Sequence, residues 1–409
     1  MFQITLFFFI IYKEKGCFMN RKLCLLLVIP MIFACAPAET ISKKGITHYA
    51  PCFIATNGEV IFPLNTTVDM TSYIKYDEKK QNEIFSLFDY EIKKVHFYSD
   101  AYHDYEDVIG IKRINENYGK ERLFVDPSLI TLIDNAIKVS EYTKGKFNLT
   151  LGCLIDVWKD KFENDEIYQY PPSKSLISES KEKVIPYNEL RDYIILDKDK
   201  SSIEFRTYKD FDQIKINLGA ISKGFALQEA GEVLPSDSFI LSAGSSSLKF
   251  IGEYPDPSRK NYLIDLIAPA LKLGNQEAKK ILQIKCYEGE NVSTSGDYQK
   301  FFVDKYDGTI YSHILNPEDG YSSSLFSEIN LVSHLDGDLL DGLSTALMNC
   351  DSIEEAIYII DEVENKENEI IDYAFIKREG AKYSVTVSSL YNDRITIKTS
   401  NLINNFEVK

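Results

Sequence analysis

Between Tyr193 and Val332 the sequence passes through short strand-like runs in irregular succession, with a single helix-like segment among them, and this order limits the fold more than any other feature. A doubly wound parallel sheet needs strict alternation of strand and helix, so the pattern predicts an α+β fold of mixed sheets with packed helices. The runs are Tyr193–Asp197 and Ser202–Phe205, joined as a hairpin, then Ile214–Leu218, Ser238–Ser242, Tyr262–Ile267, Ile281–Tyr287, Phe301–Val303 and Ile329–Val332. Helical spacing predicts helices over Lys79–Phe97, after an Asp126 N-cap with Pro127 at the first position, over Ser222–Val233 and over Asp341–Asn349. Tyr383–Ser389 and Ile395–Thr399 read as closing strands, followed by a frayed polar tail.

The N-terminal end reads as targeting rather than as fold. Met19-Asn20-Arg21-Lys22 is basic and precedes the apolar stretch Leu23–Phe33, which makes Met19 a candidate start. Ile32-Phe33-Ala34-Cys35 resembles the lipobox of bacterial lipoproteins, which predicts a leader over 1–35 and lipidation at Cys35. An uncleaved anchor is disfavoured because the stretch, at about eleven residues, falls short of the roughly 20 that span a bilayer. A polar tether over 36–58 and a folded domain over 59–402 follow. The expectation is an exported bacterial lipoprotein, anchored by lipid to a membrane on its periplasmic side.

The net charge of -16 excludes an electrostatic nucleic-acid binder, which needs a basic surface to displace counterions. It also means that a phosphate ligand would need a cation or local backbone N–H groups. Beyond the leader, Cys52, Cys153, Cys286 and Cys350 are far apart and form no C-x-x-C pair, so a thiolate zinc site is not indicated.

Three segments offer hydroxyls, an imidazole and a carboxylate within a short stretch: Ser293-Thr294-Ser295-Gly296, His313 through Asn316-Pro317 to Gly320, and Asp341 to Thr345. Asp341 and Thr345 are four apart, so on a helix both reach one hard cation, although Asp341 alone would read as an N-cap. His313, in a turn after a strand, reads as a general base or phosphate contact, or as a histidine bonded to local backbone. Asn217 to Gly224 lies where a strand passes into a helix, a place that favours anions, and Lys223 there is either a ligand contact or a solvated charge. The serines suit phosphate or ribose, and equally a plain turn.

The order and spacing of these pieces, with Gly145-Lys146-Phe147-Asn148-Leu149-Thr150-Leu151-Gly152 through Trp158, resemble the ApbE family of FAD:protein FMN transferases from about residue 60 to 400. The resemblance implies an ApbE-like fold, FAD as substrate, Mg²⁺ on its pyrophosphate, and transfer of FMN to a Thr or Ser hydroxyl of a partner protein with release of AMP. It implies that Asp341, Thr345 and the Ala220 carbonyl hold the metal and that His313 is the base. Leu64, Tyr102, Phe147, Asn148, Leu149, Asn217, Lys223, Ser293, Thr294, Ser295 and His313 would then line the FAD site. The chain departs from the family pattern in having Asn148 and Asn217 where an acidic residue is usual, Gly244-Ser245-Ser246-Ser247 for a Gly-Gly-Asp-like turn, and Leu64-Asn65-Thr66 for Met-Gly-Thr. Two other readings are open on the same residues: a metal-dependent FAD pyrophosphatase giving FMN and AMP, and a non-catalytic flavin-binding lipoprotein.

Overall fold

The structure is a computed structural model that describes residues 47–54, 60–164, 166–256, 258–271 and 279–409. The leader, the lipobox with Cys35 and most of the proposed tether lie outside the described residues. Part of that tether is not a linker: Thr47–Tyr49 (β1) pairs antiparallel with Val68–Ser72 (β2) at the edge of the main sheet.

The main sheet has nine strands whose order in space follows the chain. After β1 and β2 come Phe239–Ala243 (β3), Ser247–Ile251 (β4), Asn291–Gly296 (β5), Glu328–Ser333 (β6), Ile371–Glu379 (β7), Lys382–Val387 (β8) and Ile403–Val408 (β9). Neighbours are antiparallel except the last pair, which is parallel. The tail expected to fray is therefore an edge strand, because its backbone completes the ladder of β8.

Four helices position the site on one face of this sheet: Glu78–Ser99 (α1), Pro127–Tyr142 (α2), Ser222–Val233 (α3) and Gly337–Leu347 (α4). The Asp77 and Asp126 side chains cap α1 and α2 by accepting from Lys80 and Ser128 N–H groups, and Pro127 occupies the first turn of α2, where a missing N–H costs nothing. α4 begins four residues before Asp341, so Asp341 is an interior helical residue rather than an N-cap. Core residues such as Phe88, Ile133, Phe225, Leu241, Leu331 and Leu343 fill the space between helices and sheet.

The opposite face of the sheet carries a second core, in which Phe250, Val292, Val332 and Val385 pack with Tyr262 and Ile284 from a three-stranded sheet of Tyr262–Ile267, Lys280–Cys286 and Ile395–Ile397. Two layers of burial explain why β6 is buried along its whole length. Ile214–Leu218 is extended but pairs with no strand. Its Ile216 N–H and carbonyl bond the Asn115 side chain, and the Asn217 N–H donates to the Leu149 carbonyl, so side-chain and loop partners replace a ladder. Among the described residues, no helix is long and apolar enough to cross a membrane.

Candidate active site

The centre of the site is the contact of α4 with β5. Along β5 side chains alternate, so Ser293 and Ser295 face α4 while Thr294 faces the opposite core, where its Oγ1 accepts from Asn330 Nδ2 at 2.8 Å. Thr294 thus does not join Ser293 and Ser295 at the site, which corrects its assignment there. Ser293 Oγ donates to Asp341 Oδ1 at 2.6 Å, and Ser295 Oγ lies 2.7 Å from Ser344 Oγ and 3.4 Å from Thr345 Oγ1. Ser247, the first residue of β4, adds a hydroxyl 2.9 and 2.8 Å from the two Asp341 oxygens.

Asp341 also accepts the Gly224 N–H at 2.7 Å. In an uninterrupted helix that N–H would return to the carbonyl four residues earlier, which is Ala220. The Ala220 carbonyl accepts no backbone hydrogen bond among the described residues, so one hard oxygen is left available beside the Asp341 carboxylate. Burial pushes the Asp341 pKa up, and Lys223, Ser293, Ser247 and the Gly224 amide act against it without cancelling it. Lys223 Nζ donates to Ser246 Oγ at 2.5 Å, and its own pKa is lowered by desolvation, with Asp341 opposing and Lys300 reinforcing the shift.

Asp341, Thr345 and the Ala220 carbonyl are donors of the kind Mg²⁺ takes. One carboxylate, one hydroxyl and one free carbonyl are hard oxygens, few enough to leave coordination positions for water and phosphate. Among the described residues no three His, Cys, Asp or Glu side chains gather as a metal site, so Mg²⁺ here would depend on backbone and substrate oxygens.

His313 follows the short strand Ile310–Ser312, and its N–H bonds the Lys300 carbonyl at 3.1 Å. The turn after it is fastened from two sides: Trp158 Nε1 donates to the Gly320 carbonyl at 3.1 Å and Asn349 Nδ2 to the Leu315 carbonyl at 3.1 Å. Gly320 has φ +83°, which only glycine adopts without strain, and an added Cβ would meet Ile177. His313 is exposed to solvent. Desolvation first, and Lys300 and Lys223 next, hold its pKa down to about 4. It is neutral at pH 7, with a lone pair available.

Leu64, Tyr102, Asn217 and Lys223, from three separate stretches of chain, line one cavity of about 80 Å³. Tyr102 OH donates to Asp156 Oδ1 at 3.2 Å, and Lys159 Nζ lies 3.4 Å from the ring centroid. The Asn217 Oδ1 accepts the Gly219 N–H at 2.9 Å. Phe147, Asn148 and Leu149 are placed differently. Leu149 is sealed in the core and Phe147 nearly so, leaving their side chains no open face toward this cavity. Asn148 spends its amide on structure, donating to the Ile185 carbonyl at 2.7 Å and accepting from Thr150, while bordering a second cavity of about 290 Å³ with Lys146, Tyr187 and Asn316.

Ser246, Ser247 and Ser344 bond the central groups and had no role assigned from sequence. The signal for the first two was the Gly244-Ser245 turn, whose residues both have positive φ and which delivers the next two serines to Lys223 and Asp341.

The model of the ApbE family matches residues 64–370. The FAD:protein FMN transferase of Klebsiella pneumoniae (strain 342) is 23% identical over 248 residues, 58% of this chain and 69% of the relative. That of Chlamydia muridarum is 24% identical over 292 residues, 69% of this chain and 80% of the relative. The crystal structure of the Thermotoga maritima apbe protein superposes with a TM-score of 0.65 at 23% identity, covering 85% of this chain and 99% of that one. The flavin transferase ApbE of Vibrio cholerae gives 0.62 at 18% identity, covering 85% and 99%.

Proposed function

This chain belongs to the ApbE family, and we propose that it is a Mg²⁺-dependent FAD:protein FMN transferase, moving FMN from FAD to a Thr or Ser hydroxyl of an exported protein and releasing AMP. The observation that carries this reading is that Lys223 lies within electrostatic reach of both Asp341 and His313, so a metal-side carboxylate, a cation and a neutral base share one site. The names of the relatives support the reaction class.

Asp341, Thr345 and the Ala220 carbonyl would hold Mg²⁺. When bound, the ion neutralises charge on the pyrophosphate oxygens. Lys223 binds the phosphates and stabilises the developing negative charge. The acceptor oxygen forms a bond to the flavin-side phosphorus as the bond from that phosphorus to the bridging oxygen breaks, and AMP leaves with that oxygen. His313 Nδ1 or Nε2 takes the hydroxyl proton, for which a neutral imidazole is the competent state. Leu64, Tyr102, Asn217 and Ser295 bind and orient the nucleotide.

One observation favours a second reaction. His313 is exposed to solvent, so water can take the place of the protein hydroxyl and give FMN and AMP by hydrolysis. On the leader sequence we further propose export and lipid anchoring through Cys35, which would put the site outside the cytoplasm with exported acceptors.

Incubating the protein with FAD and Mg²⁺, with and without a Thr-bearing acceptor peptide, tests the reading. A peptide mass gain equal to FMN minus water together with stoichiometric AMP is expected. FMN released equally with and without peptide would make hydrolysis the reaction, and intact FAD in both arms would sink catalysis.

A further inference from the structure

Asp100, at the end of α1, accepts hydrogen bonds from two directions, and each leads to a wall of the cavity that holds Leu64 and Tyr102. Its Oδ1 takes the Tyr102 N–H at 2.7 Å and, more weakly, the His103 N–H at 3.3 Å, an Asx-turn that sets where the Tyr102 ring begins. Its Oδ2 accepts from Tyr105 OH at 2.8 Å and lies 2.8 Å from His103 Nδ1. Tyr105 OH in turn lies 3.1 Å from His96 Nε2, and His96 Nδ1 accepts the Leu64 N–H at 3.2 Å.

The protons on this chain have one consistent arrangement. Because Nδ1 of His96 accepts, Nε2 carries the ring proton and donates to the Tyr105 oxygen, whose own proton goes to Asp100. Burial lowers the His96 pKa, with Asp100 opposing, which favours the neutral ring that this arrangement needs. The far end of the chain needs holding. Leu64 has φ 55° and Asn65 follows it at φ 55°, a left-handed pair that a bulky residue adopts only when its surroundings impose it. The Asp100 side chain is only 6% exposed, so its carboxylate meets mainly protein donors.

We propose that Asp100 is a positioning residue that sets both walls of the nucleotide cavity at once, holding Tyr102 directly and the left-handed Leu64 turn through Tyr105 and His96. This rests on the reading of that cavity as part of the FAD site. It adds a function for a carboxylate and a histidine that themselves border this cavity, and for a tyrosine behind them that does not. It also accounts for Leu64-Asn65 working in place of a glycine-containing turn, since the side-chain relay restrains what the backbone alone disfavours.

The test measures FAD affinity and steady-state FAD cleavage with Mg²⁺ on the full chain for Tyr105→Phe, Asp100→Asn and Asp100→Ala. Tyr105→Phe keeps the ring stacked on Phe97, 4.1 Å between centroids, and removes only the hydroxyl that joins the two halves. It should raise the FAD Kd and KM about tenfold with kcat unchanged, the scale of one lost hydrogen bond to a charged group. Asp100→Ala should raise both further, and Asp100→Asn should fall between, because its amide oxygen still accepts from Tyr102. Wild-type Kd in a folded Tyr105→Phe protein, or a fall in kcat at unchanged Kd, would overturn the inference, and this variant remains decisive even if Asp100→Ala does not fold. Failure of the wild-type protein itself to bind FAD would instead overturn the functional reading beneath it.

Discussion

The Gly224 amide and the Asp341 carboxylate are 117 residues apart in sequence and 2.7 Å apart in the fold. That single bond diverts the first-turn N–H of α3 to a side chain of α4 and leaves the Ala220 carbonyl without a backbone donor among the described residues. It requires the two helices to touch. A Cβ on Gly224 would lie 2.0 Å from the Gly337 carbonyl oxygen, so the contact tolerates no side chain.

Gly224→Ala should therefore push α3 and α4 apart. We expect a loss of about 3 kcal/mol, the upper range for overpacking a close contact, and weaker Mg²⁺ dependence in whatever folds. Thermal unfolding with and without Mg²⁺ measures both, and a wild-type melting curve would show that the helices can separate without cost.

Asp341→Asn keeps an oxygen for the Gly224 amide and removes the charge. Mg²⁺-dependent FAD cleavage should fall by about 100-fold or more, the loss expected when a metal's charged ligand is removed. FAD binding measured without metal should change much less. Unaltered cleavage would remove Asp341 from the metal site.

His313→Ala should lower kcat by about 100- to 10,000-fold, the range of general base catalysis, while FAD Kd changes little. Because the wild-type ring protonates near 4, kcat/KM should fall as pH drops through about 4 and be insensitive to this group above it. The variant should lack that acid limb. An acid limb retained in the variant would assign it to another group.

Glu328 supplies a test of stability rather than chemistry. It is buried in β6 with Oε1 unpartnered, and desolvation raises its pKa from 4.5 to about 8, against the opposing bond from Tyr298. A carboxyl whose folded pKa is raised contributes stability that is full below its unfolded value and lost as pH rises through the folded value. Wild-type stability should thus decline between about pH 4.5 and 8, whereas Glu328→Gln should flatten that decline by on the order of 5 kcal/mol at pH 8. Denaturant melts across this range would show it, and parallel curves for the two proteins would refute the assignment.

The α+β class, the Asp126-capped helix, and the placement of Asp341 and Thr345 four apart on one helix could all be read from local spacing, because caps and periodicities involve neighbours in the chain. The alternation of Ser293, Thr294 and Ser295 was equally local, but which of its two faces meets α4 was not. Ile214–Leu218 has a strand's pattern of buried residues and no strand beside it, since Asn115 and Leu149 claim its backbone groups.

What the sequence determined by itself were the elements and the residue types they carry: a helix presenting Asp341, a turn presenting His313 and a buried stretch leading to Lys223. The tertiary structure decided which groups satisfy them. Ser247 reaches Asp341, Ser246 reaches Lys223, and His96 reaches the Leu64 N–H, each across a distance that only folding closes. The physical reason is that a buried polar group must find a partner wherever the packed chain brings one, and that choice depends on long-range contacts rather than on the sequence around it.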